Sequence, residues 1–332
     1  MHFPKLSFNL ASCAILIAIV CVSPLISSIY GAIQNSSDIQ SYGVISYSTT
    51  SPIESPVPSA TPSSTPTPTP IPSTTRLNAI WLEHPDTEFL NQNQQTVVQK
   101  LLNSNTKIVF VQIGNWKQSG STVSINYWWT NSTIQNTINS IKTYSNHQIE
   151  VHAWMIWSSG NTMVNLADSS IRAKTVTAAV NVVQSYGFDG FNDDLYEGFT
   201  GSDSNYVAYA NALGNALTAI GKKSSCDLFA MYATNIPTLY GGITQVTYVC
   251  PMFYDSQPWY AQWIKDQLNA VLSNSKCQVL AGLCVAPGRG VTLTQQLSAV
   301  SHPTSSKFAG VALWSLAYIQ TTDWTTYTNW TK

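Results

Sequence analysis

Four carboxylates fall within nine residues of the stretch FDGFNDDLYEG: Asp189, Asp193, Asp194 and Glu197. Only 9% of the chain is Asp, Glu, Lys or Arg, against roughly 25% in an ordinary soluble domain, so this window holds four of just sixteen acids. Like charges this close raise one another's pKa values. That suits a general acid, which must still carry a proton near neutral pH. Side chains alternate along a strand, so a strand here places Asn192, Asp194 and Tyr196 on one face and Phe191, Asp193, Leu195 and Glu197 on the other. A bulge or strand end near Tyr196, eased by Gly198, returns Glu197 to the first face.

The rest of the composition says what such acids act on. In place of charge the chain carries Ser, Thr, Asn and Gln, with 11 Trp and 16 Tyr and a net charge of −1. That charge gives no electrostatic reason to expect nucleic acid. Neutral amides and hydroxyls beside aromatic faces suit an uncharged, hydroxyl-rich ligand such as an oligo- or polysaccharide. No Cys-x-x-Cys or His-x-x-x-His spacing occurs, so neither a metal nor another cofactor is expected.

Residues 1–33 combine Lys5 with an apolar run from Leu10 to Val22 and a stretch of small residues, the pattern of a secretory signal. Left uncleaved, the run from Leu10 to Ile33 is long enough to anchor the chain in a membrane. Residues 34–75 form a linker whose second half, SYSTTSPIESPVPSATPSSTPTPTPIPSTT, reads as an extended stalk without a core. The expected location is extracellular, secreted or held at the cell surface. The acceptor triplets at Asn35, Asn131 and Asn329 fit that route. An oxidising compartment would also allow Cys226, Cys250, Cys277 and Cys284 to form two disulfides, with three possible pairings.

Residues 76–332 hold the foldable part. Eight short runs rich in Val, Ile, Tyr and Trp, beginning at LNAIWLE, KIVFVQIGNW and IEVHAWMIW and ending at FAGVALWSLA, alternate with segments of helical periodicity. Such alternation demands parallel strands with right-handed crossovers, and eight units of this length fit a closed α/β architecture, the (β/α)8 TIM barrel. In that fold function sits where the strands end at their C-terminal side. Here those ends carry Glu83, Trp116, Trp157, the acidic cluster, Tyr232, Tyr254 with Asp255, and Trp314.

With the strands assigned, three motifs resemble those of the family 18 glycoside hydrolases, the chitinases and endo-β-N-acetylglucosaminidases. Asp189-Gly-Phe-Asn-Asp-Asp-Leu-Tyr-Glu197 on the fourth strand is similar to the family's Asp-Gly-x-Asp-x-Asp-x-Glu, Met252-Phe-Tyr-Asp255 on the sixth to its Met-x-Tyr-Asp, and Trp314 ends the eighth where the family has a Trp. The resemblance implies substrate-assisted hydrolysis. Glu197 would protonate the glycosidic oxygen, Asp194 would orient the substrate's acetamido group with Tyr254 and Asp255 helping, and Trp314 would floor the sugar site. Asn192 departs from the motif by replacing an Asp, and Tyr196 occupies the expected Glu position, with Glu197 one residue late. Asp193 is therefore kept beside Glu197 and Asp194 among the candidate catalytic groups. Asn192, Glu83, Trp116, Trp157, Tyr232 and Trp314 are the candidate substrate-binding residues. Two alternatives stay open: a barrel glycosidase of another family using two protein carboxylates, and a barrel without hydrolytic activity that binds glycans as a lectin.

Overall fold

The computed structural model describes residues 76–156, 163–194, 199–229, 236–254, 261–288 and 290–330. The export segment and stalk, together with Trp157, Glu197, Tyr232 and Asp255, lie outside them. Eight parallel strands form a closed barrel: β1 (Leu77–Leu82), β2 (Thr106–Ser119), β3 (Glu150–Ile156), β4 (Gly190–Asp194), β5 (Lys223–Phe229), β6 (Tyr248–Met252), β7 (Gln278–Cys284) and β8 (Phe308–Trp314). Each strand pairs with its sequence neighbours, and β8 returns to β1 to close the ring. At that seam Gly310 faces Leu77 with φ at 152°, and a Cβ there would lie 1.8 Å from the Leu77 carbonyl oxygen. Only glycine lets the two backbones approach so closely.

Helices α1 (Gln94–Asn103), α2 (Asn131–Tyr144), α3 (Ser169–Tyr186), α4 (Asp203–Ala219), α5 (Ile236–Gly242), α6 (Ala261–Asn274), α7 (Leu293–Ala299) and α8 (Thr321–Trp330) surround the strands. Their starts follow local chemistry. Asn93, Thr130 and Asp168 each accept backbone N–H groups as N-caps, and Thr292 with Gln295 closes a capping box. The strands' outward side chains, such as Ile80, Val109, Val111, Val151 and Phe191, pack beneath Leu101, Ile138, Val182 and Leu213 of the helices. The barrel interior is a separate aromatic cluster of Trp81, Phe110, Trp154 and Tyr248 with small neighbours such as Ala79 and Ala312. The indole of Trp81 lies 5.3 Å from the Phe110 ring and 6.4 Å from that of Trp154.

Two local expectations change. Strand β2 does not end at Trp116 but runs on to Ser119, turns at Gly120 with φ at 57°, and folds back as an antiparallel strand, Thr122–Tyr127. That returning strand faces solvent on most of its length, so no apolar run announced it. Strand β5 begins at Lys223, three residues before the apolar run at Cys226, because Lys223 carries a charge for the closed end of the barrel. There its ammonium lies 2.6 Å from Glu150 Oε1.

Candidate functional site

The alternation on β4 separates the acidic cluster into two environments. Asn192 and Asp194 face the barrel interior, whereas Asp193 points into the helical layer. The Asp193 carboxylate is fully buried there and, among the described residues, accepts from Trp116 Nε1 at 3.2 Å, Tyr206 OH at 3.2 Å and Tyr209 OH at 2.9 Å. Burial pushes both tyrosine hydroxyls well above their ordinary pKa, and the carboxylate beside them adds to it. They stay protonated as donors. Two residues that sequence assigned to the mouth, Asp193 and Trp116, thus hold the wall to helix α4, and neither is exposed where a ligand enters. Asp189 lies at the opposite end of the strand, 2.9 Å from Lys142 Nζ.

Inside the barrel, Asn192 is the hub of a polar network. Its Oδ1 accepts from Trp81 Nε1 at 3.1 Å, and its Nδ2 donates to Ser225 Oγ and Asp227 Oδ1, both at 2.8 Å. Trp81 Nε1 also reaches Asp227 Oδ2 at 3.2 Å. Burial raises the Asp227 pKa to about 8, and the nearby Asp193 adds to the rise, against hydrogen bonds from Asn192, the Cys250 thiol and Trp81. Sequence reasoning missed this residue. Its signal was a lone acid inside the apolar run CDLFAMYA. On the neighbouring strands, Gln112 Oε1 and Trp154 Nε1 are buried without a hydrogen-bond partner among the described residues, one an acceptor and the other a donor at paired positions of β2 and β3.

The C-terminal ends of β6 and β8 supply an aromatic platform. Tyr254, just beyond β6, stacks on Trp314 with ring centroids 5.7 Å apart and planes 12° from parallel, and Tyr318 lies 5.6 Å from Trp314. Met252, Cys284 and Ala286 pack beneath them. The Trp314–Ser315 peptide bond is cis. Ser315 Oγ donates to Glu83 Oε2 at 3.2 Å, which fixes the half-buried Glu83 beside the platform. Donor atoms of Glu83, His84 and Glu88 converge within 4.8 Å. The two Glu88 oxygens, however, already accept the backbone N–H groups of Glu83 and His84, at 3.3 Å and 3.0 Å.

His152 belongs to the closed end. Its Nε2 lies 3.2 Å from Glu150 Oε2, and burial lowers its pKa although Glu150 opposes the fall. Burial would raise the Glu150 pKa, but hydrogen bonds from His152 and Lys223 outweigh it and hold the carboxylate at about 2. The disulfides that an oxidising compartment would allow are not formed among the described residues. Cys226, Cys250, Cys277 and Cys284 are all free, buried thiols. Cys226 faces the helical layer and Cys250 the interior, while Cys277 immediately precedes β7 and Cys284 ends it, so adjacent strands present thiols to different faces or depths.

No protein-family model and no curated protein matches the sequence. Among solved structures, a chitinase from Chromobacterium violaceum superposes with a TM-score of 0.59 at 14% identity, over 77% of this chain and 98% of that one. A family 18 chitinase from Crocus vernus gives 0.54 at 17%, over 75% and 95%. The xylanase-α-amylase inhibitor protein XAIP-I, solved with trehalose, gives 0.53 at 15%, over 77% and 96%. The fold is therefore that of the family 18 chitinase barrels in a divergent sequence, and proteins described as catalysts and as an inhibitor share it.

Proposed function

We propose that this chain is an exported glycoside hydrolase acting on a β-linked glycan that contains N-acetylglucosamine, by substrate-assisted hydrolysis. One observation carries the reading: the stacked Tyr254–Trp314 pair ends the sixth and eighth strands of the same barrel whose fourth strand turns Asp194 inward at its C-terminal end. An indole face offers a sugar ring an apolar floor. Asp194 takes the role of orienting the acetamido group, with Tyr254 and Asp255 assisting, so that its oxygen attacks the anomeric carbon. Glu197 takes the role of the acid that protonates the leaving oxygen. The buried, unpartnered Gln112 Oε1 and Trp154 Nε1 offer an acceptor and a donor of the kind an amide needs.

The test is incubation of the purified barrel with N-acetylated chito-oligosaccharides, with chromatography of the products. Hydrolysis by the native chain and its loss in Glu197→Gln, with binding retained, is the expected outcome. Unchanged turnover in the variant would remove Glu197 from the mechanism. Tyr196 at the motif's acid position favours a second reading, a glycan-binding protein without hydrolysis. Saturable binding with no new reducing ends would establish it.

A further inference from the structure

The proposed chemistry leaves one buried acid of the barrel interior unused. Asp227 is 1% exposed, and its two oxygens accept from Asn192 Nδ2 and Trp81 Nε1. The pairing of β4 with β5 sets Asn192 opposite Ser225 and Asp193 opposite Cys226. The next interior position toward the mouth therefore sets Asp194 beside Asp227, on strands roughly 4.8 Å apart. Two adjacent carboxyls in an apolar interior do not both ionise at low cost. Asp194, half-buried at the open end, is the better solvated of the two, and Asp227 is sealed beneath it.

We propose that Asp227 is a positioning residue of the site: as the neutral member of an Asp194–Asp227 pair, it donates a hydrogen bond to the Asp194 carboxylate and so fixes the direction in which that carboxylate meets a bound acetamido group. The acetamido part rests on the hydrolase reading, whereas the shared proton does not. The groups facing the pair fit a single retained proton. Strand β1 contributes Trp81 and, at the rim, Glu83; β2 contributes Gln112; β3 contributes Trp154, with His152 and Glu150 deeper. From β6 come the Cys250 thiol and, lower, Tyr248, and Asp193 acts through the wall of β4. Lys223, the cation of β5, is engaged with Glu150 at the closed end. Among the described residues, no cation in the interior cluster competes for the proton.

The experiment has two arms. Carbon-detected NMR of the chain labelled at the aspartate carboxyls follows each group against pH. One carboxyl is expected to titrate near pH 8, to vanish in Asp227→Asn, and to move to lower pH in Asp194→Asn. No aspartate titrating above pH 6, or a signal indifferent to Asp194→Asn, overturns the pair whether or not the chain hydrolyses anything. In the second arm, turnover of N-acetylated oligosaccharides is measured against pH. Asp227→Leu is expected to lower kcat/KM at pH 6 by about tenfold or more, while Asp227→Asn, which keeps a donor, is expected to recover most of it and to lack the alkaline fall near pH 8 expected of the native chain. An alkaline limb unchanged in Asp227→Asn refutes the positioning role, and absence of turnover in the native chain refutes only the hydrolase reading.

Discussion

Replacing Asp193 by Ala should damage the fold rather than any chemistry at the mouth. The carboxylate is the shared acceptor of Trp116 Nε1, Tyr206 OH and Tyr209 OH, all in fully buried side chains. Each donor left without an acceptor costs about 1–3 kcal/mol. The relief of removing one buried charge offsets part of that sum, and truncating one partner of a buried charged network costs about 3–5 kcal/mol in total. For a domain of this size each kcal/mol moves Tm by about 2–4 °C, which predicts a fall of roughly 10 °C in calorimetry. Asp193→Asn keeps one acceptor oxygen and the hydroxyl partners can rotate, so its fall should be less than half as large. Glycan binding measured below both transitions should be retained. A Tm within 2 °C of the native value, with binding or turnover lost, would return Asp193 to the list of groups that touch a ligand.

Three further outcomes follow from the same geometry. Burial raises the Asp227 pKa to about 8, above its unfolded value of about 3.9, so its contribution to stability is complete below pH 4 and fades as pH rises toward 8; urea unfolding at several pH values should show stability falling across that window, and Asp227→Asn should flatten the fall. Trp314→Ala removes the face stacked on Tyr254 and should weaken oligosaccharide binding by about tenfold or more, an effect of about 1.4 kcal/mol or more, read by calorimetric titration at unchanged Tm within a few degrees. Because Cys226, Cys250, Cys277 and Cys284 are free thiols, dithiothreitol should leave the Tm of the barrel unchanged, and a drop of several degrees would mean that a disulfide had formed.

Much of the architecture could be read from residue order. The alternation of β-branched runs with helical periodicity specified parallel strands, and their number and length favoured a closed barrel over an open doubly wound sheet, which shares the same alternation. The same alternation already set Asp193 against Asn192 and Asp194, and the structure shows what that opposition means: one carboxylate under helix α4, one amide in the barrel. The solvent-facing strand Thr122–Tyr127 escaped notice because it buries too little to leave a pattern. The thiols misled because a secreted reading makes disulfides permissible without making them geometrically available.

The linear chain was sufficient for the order of strands and helices, for the crowding of acids on the fourth strand and for the aromatic ends of the sixth and eighth, since periodicity and composition are local properties. Which acid lies buried among tyrosines, and which shares a network with Trp81 and Asn192, came from packing between strands distant in sequence. Asp227 stands 146 residues from Trp81 and 35 from Asn192, and a proton's affinity depends on such neighbours and on the water they exclude, neither of which is written in the residues on either side of it.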